Sequence, residues 1–98
     1  MKLKNVVLSP LAQQDLDDIW EYSFANWGLE KAESYTYEIR ATVMRLSQFP
    51  ERGRLCDFIR KEYRRLDHGS HTIFYVRSDT HIDVKRILHQ SVDFDRQL

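Results

Sequence analysis

Apolar positions along the chain fall at two periods. Between positions 10 and 27, Ala12, Leu16, Ile19, Trp20, Ser23 and Trp27 recur at helical spacing, while Asp17, Asp18 and Glu21 lie mainly on the other side. That pattern predicts an amphipathic helix. Ser9 fits its N-cap and Pro10 its first helical position, where a missing N–H costs nothing. Asp15 suits the electropositive N-terminal part of the helix. Gly28, after Asn26 and Trp27, can take the left-handed conformation that stops it. A second helix is expected over residues 30–49, with Ala32, Tyr35, Thr36, Ile39, Val43 and Leu46 as its stripe and Pro50 as its end. The connection between them is so short that the two fold back as a hairpin. Trp20, Trp27, Tyr35 and Ile39 are then expected in the core.

From Tyr63 onward the period shortens to two. Strands are expected over 63–67, 70–77 and 82–89, joined at His68-Gly69 and at Ser78-Asp79-Thr80, turns short enough to force antiparallel pairing. In the middle strand Thr72, Phe74 and Val76 alternate with Ile73 and Tyr75, so both faces carry apolar side chains. In the last strand Ile82, Val84 and Leu88 oppose Asp83, Lys85 and Ile87. One face is expected to pack on the hairpin. The other is too apolar for water and is expected to meet a partner. An N-terminal strand over 3–8 must join this sheet, because two helices alone cannot bury its apolar residues. Residues 50–61 read as an irregular connection, with Leu55, Phe58 and Ile59 as candidates to pin it to the core. The fold class is α+β: strand–helix–helix–three-stranded antiparallel meander, the helical hairpin packed on one face of a small sheet, in a single domain over 1–98.

Composition narrows the function classes. At 98 residues, 42% hydrophobic and 31% charged, the chain suits one small globular core. No apolar run approaches the roughly 18–20 residues of a membrane span, and the run after the basic start is too short for a signal peptide. Cys56 is the only cysteine, so no internal disulfide forms and a reducing compartment, the cytoplasm, is expected. Fifteen basic and fifteen acidic residues cancel, which argues against strong direct nucleic-acid binding. The charges are unevenly spread. Asp15, Asp17, Asp18, Glu21, Glu30 and Glu33 crowd the helical hairpin, whereas Arg52, Arg54, Arg60, Lys61, Arg64 and Arg65 crowd the middle. Such a dipolar molecule can draw an acidic partner to one face.

Candidate chemistry is sparse. Of four histidines, His68 and His71 straddle a turn and are expected to diverge, so neither a metal site nor a cofactor is expected. No Gly-rich phosphate loop occurs. Ser70 and His71 are adjacent in a strand and point to opposite faces, which rules out a nucleophile–base pair. Cys56 reads as a half-buried structural thiol. Metal-free RNA cleavage needs a base, an acid and cations. Arg64, Arg65, Arg77, Arg86, His71, His89 and Tyr75 supply these types, but Arg64 and Arg65 lie on opposite faces of one strand and cannot both join a cluster.

Several segments in order look familiar: Asp-Leu-Asp-Asp-Ile-Trp-Glu-Tyr in the first helix, Asn-Trp-Gly, Phe-Pro-Glu-Arg-Gly, Tyr-Arg-Arg, Gly-Ser-His-Thr-Ile-Phe-Tyr and Arg-Ile-Leu-His-Gln-Ser-Val-Asp. Over essentially the whole chain they resemble the ParE toxins of the RelE/ParE superfamily, from type II toxin–antitoxin systems. The resemblance implies the same strand–helix–helix–meander fold. It also implies a growth-arresting toxin that binds DNA gyrase and is neutralised by a ParD-like antitoxin laid on the hairpin and sheet. On that basis Arg64, Arg86, His89 and Asp93 are expected to mark a target-facing polar surface at the sheet's end. Trp27, Tyr35, Ile39 and Phe74 are candidates for antitoxin contact.

The superfamily's other branch, similar to RelE, cuts ribosome-bound mRNA with strand-end basic residues and a tyrosine near the C-terminus. Here His89-Gln90-Ser91 replaces the basic cluster, the last tyrosine is Tyr75, and Asp67 ends its strand. The expectation is therefore a toxin that binds and is not an enzyme, with a RelE-like ribonuclease as the alternative.

Overall fold

The computed structural model describes residues 5–98. Strand β1 (Asn5–Leu8) leads into helices α1 (Pro10–Trp27) and α2 (Leu29–Arg45). There follow β2 (Arg54–Leu55), β3 (Arg64–His68), β4 (His71–Arg77), β5 (His81–His89) and a terminal turn of helix, α3 (Phe94–Gln97). The sheet order is β1-β5-β4-β3-β2, with β1 parallel to β5 and every other pair antiparallel. The expected α+β order holds. The part of the N-terminal strand expected before Asn5 lies outside the described residues.

Local chemistry sets the boundaries. Ser9 Oγ accepts the Ala12 N–H at 3.0 Å, as an N-cap should. Gly28, at φ +92°, sits between the helices in a conformation that favours glycine, and its N–H donates to Phe24 O at 2.9 Å. Helix α2 ends about a turn before the expected Phe49. The N–H groups of Leu46 and Ser47 reach back three residues, to Val43 and Met44, and Pro50 disfavours helical geometry at Phe49. The meander's first turn is Gly69-Ser70, one residue later than expected. The segment 50–61 holds a short strand, β2, that pairs Arg54 with Arg65 and Leu55 with Arg64.

Two cores flank the sheet. Leu16, Ile19, Ile39, Val43 and Leu46 of the hairpin pack on Ile73, Tyr75, Ile82, Val84 and Ile87. On the other face Phe74, Leu88 and Cys56 are covered by Ile59, Tyr63, Val92, Phe94 and Leu98. The second face is thus closed by the chain's own 56–63 segment and C-terminus, correcting the expectation of an open face there. Cys56 is fully rather than half buried, and burial pushes its thiol pKa up. Of the three expected pins only Ile59 serves. Leu55 and Phe58 stand in solvent, 52% and 83% exposed. Trp27 leaves the core as well, at 62% exposed.

A bulge in β5 corrects the face assignment of the last strand. Phe74 pairs with Arg86 but Tyr75 pairs with Val84, so Lys85 is the extra residue. Ile87 therefore joins Ile82 and Val84 beneath the hairpin, while Leu88 turns to the second face. Strand β1 pairs only as far as Val84, and side chains of the helix start take over along the exposed edge. Ser9 N–H donates to Val84 O at 2.9 Å and Ser9 Oγ to Lys85 O at 2.8 Å. Asp15 then accepts Ile87 N–H at 2.9 Å and the Arg86 guanidinium at 2.7 and 2.9 Å. Asp15 is therefore a tertiary clamp rather than a partner of the helix N-terminus. Replacing it strands a cation and a backbone N–H in a poorly hydrated place. Asp15→Ala should lower unfolding free energy by about 3 kcal/mol in urea titration. A loss below about 0.5 kcal/mol, typical of an exposed surface site, would show that the edge holds without it.

Candidate functional site

A cleft of ≈ 660 Å³ opens between the Trp27 end of the hairpin and the strand ends near Gly69 and His89. Ile19, Tyr22 and Trp27 of α1 form one wall, with Tyr22 and Trp27 in edge-to-face contact at 5.8 Å. Tyr35 and Lys31 come from α2, and Ser70, His71, Leu88, His89 and Ser91 from the sheet end. Asp15 and Asp18 complete the rim.

A row of three histidines crosses the sheet here, and two of them, His71 and His89, line the cleft. His68 pairs with His71, which pairs with His89 on its other side. Directly opposed antiparallel residues share a face, so His68 and His71 converge, contrary to expectation. The ring centroids of Tyr35 lie 5.9 Å from His68 and 5.6 Å from His71, and His71 meets His89 edge-on at 5.2 Å. The Tyr35 hydroxyl is 2.7 Å from His71 Nδ1 and accepts the Ser70 N–H at 3.1 Å. It fixes the β3–β4 turn, where Gly69 sits at φ +55° and a Cβ would lie 2.7 Å from that hydroxyl oxygen. His89 Nδ1 accepts the Ser91 N–H at 3.1 Å and lies 2.7 Å from Ser91 Oγ.

Burial, then the neighbouring His89 and His68, hold the His71 pKa down at about 4, against a smaller opposing pull from Asp15. Its ring is neutral at physiological pH, with Nδ1 engaged by the Tyr35 hydroxyl. Among the described residues no group of three or more His, Cys, Asp or Glu side chains is arranged to hold a metal ion.

The expected target-facing residues do not come together. Arg64 pairs with Tyr75, at the end of the meander opposite His71 and His89, and its Nη1 donates to Gly53 O at 2.7 Å. Arg86 is held by Asp15 and also donates to Gln97 O at 2.9 Å, so it is a structural cation. Asp93 caps α3, its Oδ1 accepting Asp95 N–H at 3.1 Å. Only His89 is exposed at the cleft. Among the antitoxin candidates, Trp27 and Tyr35 line the cleft. Ile39 and Phe74 are both 0% exposed, one under the hairpin and one under the C-terminal cover, so neither presents a surface. Asp15, Asp18, Tyr22 and Lys31 were not singled out for the cleft by sequence. A signal existed for Asp15, which interrupts the apolar stripe three residues after Ala12 and four before Ile19.

The sequence pattern of the ParE toxins of type II toxin–antitoxin systems (parDE) matches residues 6–94. The chain belongs to the ParE toxin family. Within the RelE/ParE superfamily it is thus the toxin component of a ParDE-type module, which pairs it with an antitoxin. It is 46% identical over 93 residues to Toxin ParE1 of Mycobacterium tuberculosis, covering 94% of this chain and 95% of the relative. It is 41% identical over 91 residues to Toxin ParE1 of Caulobacter vibrioides, covering 93% and 94%. A solved chain from the chromosomal ParDE system of P. aeruginosa superposes with a TM-score of 0.77 at 21% identity, over 89% of this chain and 96% of that one, and shares the fold. Among the described residues no helix is long and apolar enough to cross a membrane.

The lowered His71 pKa predicts that acid destabilises the folded chain. The folded chain keeps His71 neutral down to about pH 4, whereas the unfolded chain protonates it near its ordinary 6.5. The unfolded state therefore binds the extra proton between those values, and His71's contribution, present above pH 6.5, is lost as pH falls. Urea midpoints measured from neutral pH to pH 5 should fall less steeply for His71→Asn than for the wild type. Equal slopes would show that another group governs the acid limb.

Proposed function

We propose that this ParE toxin arrests growth in the cytoplasm by binding DNA gyrase, and that a ParD-like antitoxin neutralises it by laying a segment in the cleft. The observation that carries the antitoxin reading is the cleft itself. Tyr22 and Trp27 stand 63% and 62% exposed on its wall, large aromatic surface of the kind that interfaces bury. Ser9 and Asp15 already occupy the β5 edge as far as the Ile87 N–H, so what the cleft offers a partner is side-chain surface rather than open strand edge. Asp18 and Lys31 on the rim can select charges of the incoming segment.

Binding rather than RNA cleavage is supported by the state of the polar groups. Arg86, a candidate phosphate-holding cation, is neutralised by Asp15. Asp67, at the β3 end, accepts Thr72 Oγ at 2.7 Å, which with Arg65 keeps its carboxyl below the usual range. A carboxylate kept ionised repels phosphate.

Purified toxin added to gyrase and supercoiled DNA should trap cleaved DNA. The reading fails if gyrase is untouched and ribosome-bound mRNA is cut instead. The double variant Tyr22→Ala, Trp27→Ala should weaken antitoxin binding by roughly a hundredfold, in line with losing two aromatic anchors, while thermal stability stays near wild type. Calorimetric titration with unchanged affinity would remove the cleft from the antitoxin contact.

A further inference from the structure

The acidic hairpin and its cleft leave the opposite margin of the sheet unexplained. Segment 49–61 runs along that margin and includes the edge strand β2. Here Phe49, Leu55 and Phe58 are 58%, 52% and 83% exposed. Arg52, Arg54 and Lys61 stand exposed in the same segment. None of these three is engaged in an ion pair among the described residues. By contrast Arg65, Arg77, Arg86 and Arg96 are each paired with a carboxylate.

The segment is held rigid from beneath. The buried Tyr75 hydroxyl donates to Pro50 O at 2.9 Å and accepts Gly53 N–H at 2.8 Å. A Cβ on Gly53 would lie 2.7 Å from the Tyr75 ring and 2.8 Å from Arg65 O, so the chain is pressed onto that tyrosine. Arg64 ties Gly53 O from the sheet side, and Cys56 N–H donates to Tyr63 O at 2.8 Å. Exposed apolar groups on a floppy loop would signify little. Here they are presented by a scaffold that has already lost its conformational freedom, which favours recognition.

We propose that this margin is the toxin's target-binding surface, and that its partner is an acidic protein surface with an apolar recess that receives Phe58. The inference deepens the reading of the protein as a binding toxin and rests on it. Aromatic and arginine side chains together are the composition of interface hot spots. Unpaired guanidinium groups around them call for carboxylates. The antitoxin cleft shows no such excess, since its Asp15 is paired with Arg86 and Asp18 is matched by Lys31 in the lining. Target and antitoxin would therefore approach different faces of the molecule.

The test uses the full chain with its antitoxin and compares wild type, Phe58→Ala and the double variant Arg52→Glu, Arg54→Glu. All three sites are exposed, so thermal midpoints and antitoxin affinity should match wild type. Induced without antitoxin, each variant should restore viable counts by about tenfold or more. The toxin concentration that traps gyrase cleavage should rise in parallel. If the wild type arrests growth without trapping gyrase while the variants lose arrest, the margin stands and the gyrase assignment falls. Variants that arrest growth as the wild type does overturn the proposal, as do variants that lose antitoxin affinity instead of toxicity. Steeply salt-dependent wild-type binding to free duplex DNA that disappears in the double arginine variant also overturns it, since the partner would then be nucleic acid. A wild-type chain that arrests no growth removes the proposal together with the toxin reading.

Discussion

The carboxylate of Asp15 joins three parts of the molecule. It lies on α1, accepts the Ile87 N–H at the open edge of β5, and grips Arg86, whose remaining nitrogen reaches the carbonyl of Gln97 in the C-terminal helix. The side chains of this pair are only 12% and 17% exposed, so the attraction is less screened by water than that of a surface pair. The Asp15 hydrogen bond also raises the Arg86 pKa, which fixes its charge. That contact ties α1 to the end of β5 beside the cleft, whose lining includes Asp15.

The bulge at Lys85 is the second constraint. It lets a nine-residue strand serve two cores: Ile82, Val84 and Ile87 go to one side and Leu88 to the other. An unbroken strand would have placed Val84 and Ile87 on opposite faces. Once the second face is filled by Phe74, Phe94, Tyr63 and their neighbours, the sheet itself offers partners only its ends and margins. The cleft and the β2 margin are two such places, and only the margin carries several cations outside any ion pair among the described residues.

The fold was largely legible in the sequence because its signals are local. The Ser9-Pro10 start, the apolar stripe through Leu16 and Ile19, the single glycine between helices and the alternation in 71–77 each report on a few neighbouring residues. The candidate site was less legible because its geometry is made by register. Nothing in the spacing of His68, His71 and His89 says that three strands place them in one row, and the slip of one residue in the first turn decides it. Ile39 and Phe74 were misplaced for a related reason. Periodicity tells which residues share a face but not whether that face is covered, and the cover of Phe74 comes from α3, a helix of four residues with too little sequence to show a period. The exposure of Trp27 has the converse origin, for the helix outruns the sheet it packs on.

Strand β1 has one ladder partner among the described residues, the β5 segment from His81 to Val84. The first strand of the chain therefore waits for nearly the last. The bonds from Ser9 and Asp15 to residues 85–87 span more than seventy positions, so a chain emerging from the ribosome can form its hairpin but cannot close its sheet. Loop closure of that length makes the final step slow compared with helix formation. The cleft, walled by α1 and bounded by the end of β5, therefore cannot form until β5 has been made. The site proposed for the antitoxin is thus among the last parts of the molecule to form.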